Sequence, residues 1–178
     1  MESIEFYIRQ IKNNEDLENY LSWKCDIEFE SKEVLDNNLK SLIEYGKCNY
    51  EVQVFACDGA GGVYVVLNNA KIGYIDSEGR AGIISNNIKD FFSIAINCGT
   101  ISDYVDCLKD IETFKAYYNE IEIPRQEEFI KKFIKDNLLE NESDKIYRLF
   151  KEAVISSPKL IIEATDEECE DSEQLFNL

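Results

Sequence analysis

Turn-forming residues recur about every ten positions between residues 50 and 84, and this spacing constrains the fold more than any other feature of the chain. The runs that these turns separate are short and rich in β-branched and aromatic residues: Glu51 to Ala56, Val63 to Leu67, Ile72 to Asp76 and Ala81 to Ser85. Short strands joined by tight turns favour antiparallel pairing of consecutive strands. The segment is therefore predicted to fold as a β-meander.

The predicted turns contain residues whose backbone or side chain suits a tight reversal of the chain. Glycine takes a positive φ at little steric cost, and asparagine tolerates it better than most residues. An aspartate at the start of a turn accepts hydrogen bonds from the backbone N–H groups that follow it. The turn residues predicted on this basis are Asp58, Gly59, Gly61, Gly62, Asn68, Asn69, Asp76 and Gly79.

Helical periodicity flanks the meander on both sides. Before it, Leu35, Leu39 and Leu42 form an amphipathic stripe, and after it Phe91 and Ile94 belong to a second helical pattern. The sequence therefore predicts an α+β fold, in which an antiparallel meander of about four to six strands packs against N-terminal and C-terminal helices.

A single domain is predicted over residues 1–162, helical over 1–48 and 86–157 with the sheet over 50–85. The remaining residues, 163–178, include seven acidic residues and no basic one, which is typical of a solvated and flexible tail. This tail accounts for part of the net charge, because the preceding residues alone carry a formal charge of about −10.

The charge of the whole chain excludes several classes of partner and of chemistry. Its 36 acidic and 19 basic residues give a formal charge of −17, and it contains no histidine. A negative field repels phosphates and anionic lipids, so we expect a basic protein partner and neither nucleic acid nor a membrane. Without imidazole there is no Ser-His or Cys-His pair. We expect a protein that is not an enzyme and that uses no metal or cofactor.

The ends and the cysteines of the chain predict its compartment. The segment Met1 to Glu5 is acidic where a secretory signal is basic, and no apolar run approaches the roughly 18 residues of a membrane span. The six cysteines are irregularly spaced, without a Cys-x-x-Cys pair. We therefore expect a cytoplasmic protein with free thiols, in preference to a disulfide framework. The cysteines are Cys25, Cys48, Cys57, Cys98, Cys107 and Cys169.

Two features near the turns allow a second interpretation. The cluster Gly59 to Gly62 resembles a phosphate-binding loop in composition, but no Lys-Ser/Thr pair follows it and the next residues form a strand pattern, so we interpret it as a turn. The carboxylates of Asp58, Asp76 and Glu78 are alternatives for an acid–base pair or a hard-cation site. In so acidic a chain, we expect turn closure first and contact with a partner second.

Acidic residues of the turns and of the tail are the candidate contacts for a basic partner. They are Asp58, Asp76, Glu78, Glu167, Glu168, Glu170 and Asp171. For the tail, a purely solubilising role is the alternative. Trp23 and the pair Tyr117–Tyr118 are candidate aromatic anchors, but single aromatic residues are more often buried, and we expect these in the core.

A longer run of residues carries a family resemblance. A phenylalanine strand enters the turn Asp58-Gly59-Ala60-Gly61-Gly62, a further strand ends in Ser77-Glu78-Gly79, and a helix opens on Phe91–Phe92. This order, over residues 53 to 96, resembles the SUKH superfamily, which includes bacterial immunity proteins and a yeast regulator of cell-wall assembly.

The resemblance implies an α+β domain without catalytic activity. For the bacterial branch it implies an antidote that binds and blocks a toxin, often a nuclease. The leading hypothesis is therefore an immunity protein of a polymorphic-toxin system that neutralises its toxin by stoichiometric occlusion. The alternative is a regulatory or scaffold module of the same superfamily. The oligomeric state is left open.

Overall fold

The computed structural model describes residues 3–68, 70–165 and 170–178 of the chain. The helices in these residues are α1 Ile4–Lys12, α2 Glu15–Cys25, α3 Lys32–Leu42, α4 Ile88–Cys98, α5 Ile111–Glu120, α6 Glu128–Asp136 and α7 Ser143–Ile155. The strands are β1 Gly46–Cys48, β2 Val52–Cys57, β3 Val63–Leu67, β4 Lys71–Ile75, β5 Ala81–Ser85 and β6 Ile162–Ala164. The fold is α+β, as the sequence predicted.

The main sheet is an antiparallel meander in the order β2-β3-β4-β5, which confirms the prediction from the turn spacing. Val63 is opposite Ile75 across β3 and β4, and Val63 is also opposite Cys57 across β2 and β3. Because the strands reverse at each turn, the β2–β3 turn and the β4–β5 turn lie at the same end of the sheet. The β3–β4 turn lies at the other end, so the sheet has one end that carries both acidic turns.

One face of the sheet is aromatic and packs on α4. The rings of Tyr64 and Tyr74 stack with centroids 4.7 Å apart, and Phe55 meets Phe91 of α4 edge to face at 5.5 Å. The N-cap of α4 is Asn87, whose side chain accepts a hydrogen bond from the Asp90 N–H. Asn87 and the phenylalanine pair Phe91–Phe92 thus fix this helix against the sheet.

The opposite face of the sheet is aliphatic. Val63, Val65 and Ile83 form a second buried cluster there with Leu160. The leucine stripe of α3 packs on the edge of this cluster. The sheet is therefore covered on both faces, which explains why most of β3, β4 and β5 is buried.

The first 48 residues are not entirely helical, contrary to the prediction. Strand β1 pairs antiparallel with β6, Gly46 opposite Ala164 and Cys48 opposite Ile162. A Cβ on Gly46 would lie 3.1 Å from the Glu163 carbonyl oxygen, so the missing side chain lets the two backbones approach. Periodicity could not predict this strand because its partner lies near the other end of the chain.

The described part of the tail is packed, which differs from the flexible tail predicted over 163–178. Leu175 and Phe176 are buried, and the Leu175 N–H donates to the Ala81 carbonyl at 2.9 Å. A Cβ on Gly82 would lie 3.0 Å from a ring carbon of Phe176, so a glycine in β5 makes room for the ring. Burial of this apolar pair, at about 1.5–3 kcal/mol for each side chain, adds to the hydrogen bonds that hold the segment.

No helix in the described ranges is long and apolar enough to cross a membrane. The cysteines within those ranges carry free thiols, while Cys169 lies outside them, as does the predicted turn residue Asn69.

Candidate functional site

The two acidic turns lie side by side at one end of the sheet, which we call the turn end. It comprises residues 58–62 between β2 and β3 and residues 76–80 between β4 and β5. A Cβ on Gly62 would lie 2.9 Å from the Ile75 carbonyl oxygen, which shows how closely the first turn approaches β4. The meander thus brings together the two motifs that stood out in the sequence.

Asp58 closes the first turn and is only 5% exposed. One carboxylate oxygen accepts hydrogen bonds from the Ala60 N–H at 2.8 Å and the Gly62 N–H at 2.7 Å, and the other accepts one from the Tyr74 hydroxyl. Burial, together with this hydrogen bond to Asp58, raises the pKa of Tyr74, so the phenol stays protonated and donates. The carboxylate of Asp58 is committed to the turn.

Asp76 closes the second turn in the same way and is 6% exposed. It accepts hydrogen bonds from the backbone of Glu78 at 3.1 Å and of Arg80 at 2.8 Å, and it pairs with the Arg80 guanidinium at 2.7 Å. Both aspartates therefore have the turn-closing role that the sequence favoured over an acid–base pair.

The predicted turn residues differ in their backbone conformation and in the space around them. Gly61, Asn68 and Gly79 have positive φ values of 98°, 46° and 80°. Gly62 has no such angle, but a side chain there would collide with the Asp58 carboxylate. Gly59 donates its N–H to the Asp26 carboxylate at 2.9 Å, and this bond ties the first turn to the end of α2.

An open groove of about 670 Å³ extends from the second turn across the β1–β6 pair. We call it the acidic groove. Its charged and aromatic lining residues are Glu44, Tyr45, Glu78, Arg80, Glu170, Asp171 and Glu173. Residues predicted from two distant parts of the sequence, the second turn and the tail, meet in this groove.

The carboxylates of the acidic groove are largely free. Among the described residues, Glu44, Glu78, Glu170 and Glu173 are exposed and make no ion pair. The cation that lines the groove, Arg80, is engaged by Asp76 behind it. The groove therefore presents unneutralised negative charge to solvent.

Backbone contacts hold the walls of the groove in place. Asp171 accepts a hydrogen bond from the Ala164 N–H at 2.8 Å, and the Ser172 N–H donates to the Ile162 carbonyl at 2.9 Å. On the other wall, the Tyr45 carbonyl accepts from the Thr165 N–H at 3.0 Å. With Phe176 buried beyond them, the groove carboxylates Glu170, Asp171 and Glu173 are fixed in position rather than carried on a flexible arm.

The candidate contacts from the sequence thus divide into three groups. Glu78, Glu170 and Asp171 lie together in the acidic groove. Asp58 and Asp76 lie buried behind the surface. The predicted contacts Glu167 and Glu168 lie outside the described residues.

Sequence reasoning missed Glu44, Tyr45 and Glu173 as groove residues. Glu44 and Tyr45 follow the end of α3, and no motif marks them. They reach the groove because β1 pairs with β6. This pairing joins remote segments of the chain, so a local sequence pattern cannot predict it.

Trp23 also departs from the sequence prediction, because its side chain is 84% exposed instead of buried. The other candidate anchors do lie inward: Tyr118 is buried, and Tyr117 packs at the edge of the core. Trp23 stands near the end of α2, whose C-cap Asp26 has a left-handed φ of 54° and holds Gly59 of the first turn. An exposed indole therefore flanks the turn end.

The geometry offers little for catalysis through the predicted candidates. The glycine turn leads into β3 and not into a helix, so it lacks the helix N-terminus of a phosphate loop. Burial, with the carboxylate of Glu28 nearby, raises the pKa of Cys57 to about 11, which makes its thiol a poor nucleophile. No cluster of three or more acidic or cysteine residues within the described ranges is arranged to hold a metal ion.

Fold and site together define a small α+β protein with an acidic groove beside a two-turn sheet end. Comparisons with family models, with curated proteins and with solved structures found no significant match to this chain.

Proposed function

We propose that this protein is an immunity protein of a bacterial polymorphic-toxin system. It binds a cognate toxin, a nuclease, and neutralises it by stoichiometric occlusion in the cytoplasm of the protected cell. The observation that carries this proposal is the acidic groove, where unpaired carboxylates from the second turn, the α3–β1 connection and the tail converge. The resemblance of residues 53 to 96 to the SUKH superfamily supports the same function.

The charge of the groove fits the surface of a nuclease. A nuclease is basic where it binds phosphate, because lysine and arginine neutralise the negative charge of the nucleic-acid backbone. A carboxylate-lined groove on a protein of formal charge −17 matches such a surface and accelerates association. Since Glu44, Glu78, Glu170 and Glu173 have no cation of their own in the described residues, a partner gains ion pairs without breaking any.

Co-expression with the toxin encoded next to its gene tests the proposal. The wild-type protein is expected to restore growth, and the variant Glu170→Lys/Glu173→Lys is expected to lose this protection. The matched control is Glu112→Lys/Glu120→Lys, which changes the net charge equally on α5, outside the groove. Killing that the wild-type protein does not reduce would overturn the proposed function.

Measuring capture of the toxin at two salt concentrations distinguishes electrostatic attraction from uncharged contacts in binding. The Debye length falls from about 10 Å at 0.1 M salt to about 3 Å at 1 M. We expect weaker capture at high salt, with the groove variant at low salt resembling the wild-type protein at high salt. Equal capture by the wild-type protein at both concentrations would assign recognition to uncharged contacts.

A further inference from the structure

Trp23 is the only tryptophan of the chain, and its side chain is 84% exposed on α2. It is more exposed than any other large hydrophobic side chain in the described residues, including Leu138 at 77%. An indole is the largest apolar side chain, and leaving it in water forfeits the stabilisation that burial would give. Tryptophan is also the residue most enriched among the few that dominate binding energy at protein interfaces.

The exposed residues that precede Trp23 on its side of α2 are polar, and one of them is acidic. Residues three, four and seven positions apart lie on one side of a helix, so the exposed Asp16 and Asn19 and the buried Tyr20 precede Trp23 on this side, and the C-cap Asp26 follows it. Asp16 is exposed and takes part in no ion pair within the described ranges. The adjacent Lys24 lies about 100° around the helix from Trp23, because neighbouring residues do not share a face.

The first turn links the end of α2, which carries Trp23, to the end of the sheet that borders the acidic groove. Asp26 is joined to Gly59 of the first turn by a 2.9 Å hydrogen bond. The first turn is joined to β4 by the hydrogen bond from Tyr74 to Asp58, and β4 leads into the second turn with Glu78. The turn end therefore lies between the end of α2 and the acidic groove.

We infer that Trp23 is the aromatic anchor of this surface and that it stacks on an arginine side chain of the basic protein partner. The inference rests on the proposed function, whose partner is basic. A cation over an aromatic face is bound best by tryptophan, and a planar guanidinium stacks where an ammonium does not. The unpaired carboxylate of Asp16, two helical turns before Trp23, and the net charge of the chain favour a cation on this side of α2.

The single tryptophan makes the test direct, because all tryptophan emission reports this one side chain. End-labelled nona-arginine and nona-lysine peptides are titrated into the full-length protein. Anisotropy of the label measures binding, and tryptophan emission measures contact with Trp23. We expect nona-arginine to change the emission, and Trp23→Ala to weaken nona-arginine binding about tenfold, as loss of an interface anchor does. The loss for nona-lysine is expected to be smaller.

Leu138→Ala is the control, because it removes an apolar side chain of similar exposure far along the chain, after α6. It is expected to leave both affinities unchanged. Trp23→Ala is expected to unfold at the same urea concentration as the wild-type protein, since the indole packs little. The inference is overturned if nona-arginine binds without changing the emission, if Trp23→Ala binds it as the wild-type protein does, or if neither peptide binds.

The co-expression assay keeps this inference separate from the proposed function. Protection by Trp23→Ala equal to that of the wild-type protein overturns the anchor and leaves immunity standing. Failure of the wild-type protein to protect overturns immunity, whatever the emission shows.

Discussion

Two sets of carboxylates, one buried at the turn end and one exposed in the acidic groove, differ in what they do. Asp58 and Asp76 are buried, and their oxygens accept hydrogen bonds from the turns that they close. Glu78, Glu170 and Glu173 are exposed in the acidic groove and unpaired among the described residues. The aspartates belong to the recognisable motifs, whereas two of the three glutamates belong to no motif. The buried aspartates of the two turn motifs are thus structural. The carboxylates that are free to bind lie at the exposed motif position Glu78 and outside the motifs, at Glu170 and Glu173.

Replacing Asp58 is expected to cause the largest loss of stability. Asp58→Ala leaves the Gly62 N–H and the Tyr74 hydroxyl without their acceptor, and each buried group that loses its partner costs about 1–3 kcal/mol. We expect the free energy of unfolding to fall by about 4 kcal/mol, measured by urea denaturation.

Asp76→Ala is the matched control, because it removes the equivalent aspartate of the second turn. Arg80, its ion-pair partner, is exposed and can be hydrated after the change. The expected loss is about 1–2 kcal/mol. Equal losses of unfolding free energy for Asp58→Ala and Asp76→Ala would contradict the view that Asp58 matters more because the groups that it binds are buried.

Gly62→Ala tests the close approach of the first turn to β4. The new methyl group would collide with the Asp58 carboxylate and lie 2.9 Å from the Ile75 carbonyl oxygen, and such overpacking costs about 1–3 kcal/mol. Gly61→Ala has open space around it but keeps a φ of 98°, so we expect a smaller loss of about 1 kcal/mol. Thermal or urea unfolding of both variants measures the two losses of stability. A larger loss for Gly61→Ala than for Gly62→Ala would contradict the prediction.

A third prediction concerns pH and the buried core behind the turn end. Burial raises the pKa of Cys25 from 9.0 to about 12, since the thiolate is disfavoured inside the protein. The folded state therefore holds its proton where the unfolded state loses it. This contribution to stability is fully present below about pH 9 and is lost as pH rises to about 12, by up to about 1.4 kcal/mol per pH unit.

Urea unfolding between pH 8 and pH 10 under reducing conditions measures this slope. Cys25→Ala is the comparison, because it removes one titrating thiol while the buried tyrosines remain in both proteins. The variant is expected to lose stability less steeply with pH. Identical slopes would show that the thiol does not titrate differently in the two states.

The meander and its turns could be predicted because their signals are local. Strand alternation, glycines and a turn-closing aspartate act within about ten residues, so the pattern around Asp58 and Asp76 was sufficient. The helix after the sheet was likewise predicted from the local pattern of Phe91 and Ile94.

The acidic groove could be predicted only in part, because its walls come from remote segments. The acidic character of Glu78, Glu170 and Asp171 was visible, but their meeting depends on the β1–β6 pair and on burial of Phe176. Trp23 was placed in the core for a related reason. Residue type predicts burial only on average, and the helices packed around α2 decide which side faces water.

The smallest expected effect on stability is that of Glu170→Lys/Glu173→Lys. Exposed, unpaired carboxylates contribute little to folding, so the free energy of unfolding should change by less than about 0.5 kcal/mol. The direction should be stabilising, because crowded like charges in the groove repel one another. The α5 control Glu112→Lys/Glu120→Lys changes the net charge equally, but Glu112 lies in the first turn of α5, where a negative charge is favourable, so the control should stabilise less. A groove variant that loses more than about 1 kcal/mol would place these glutamates with Asp58, among the residues that hold the fold together. A groove variant that gains stability while it loses its partner would show that the carboxylates are kept in the groove for binding, against a small cost in folding.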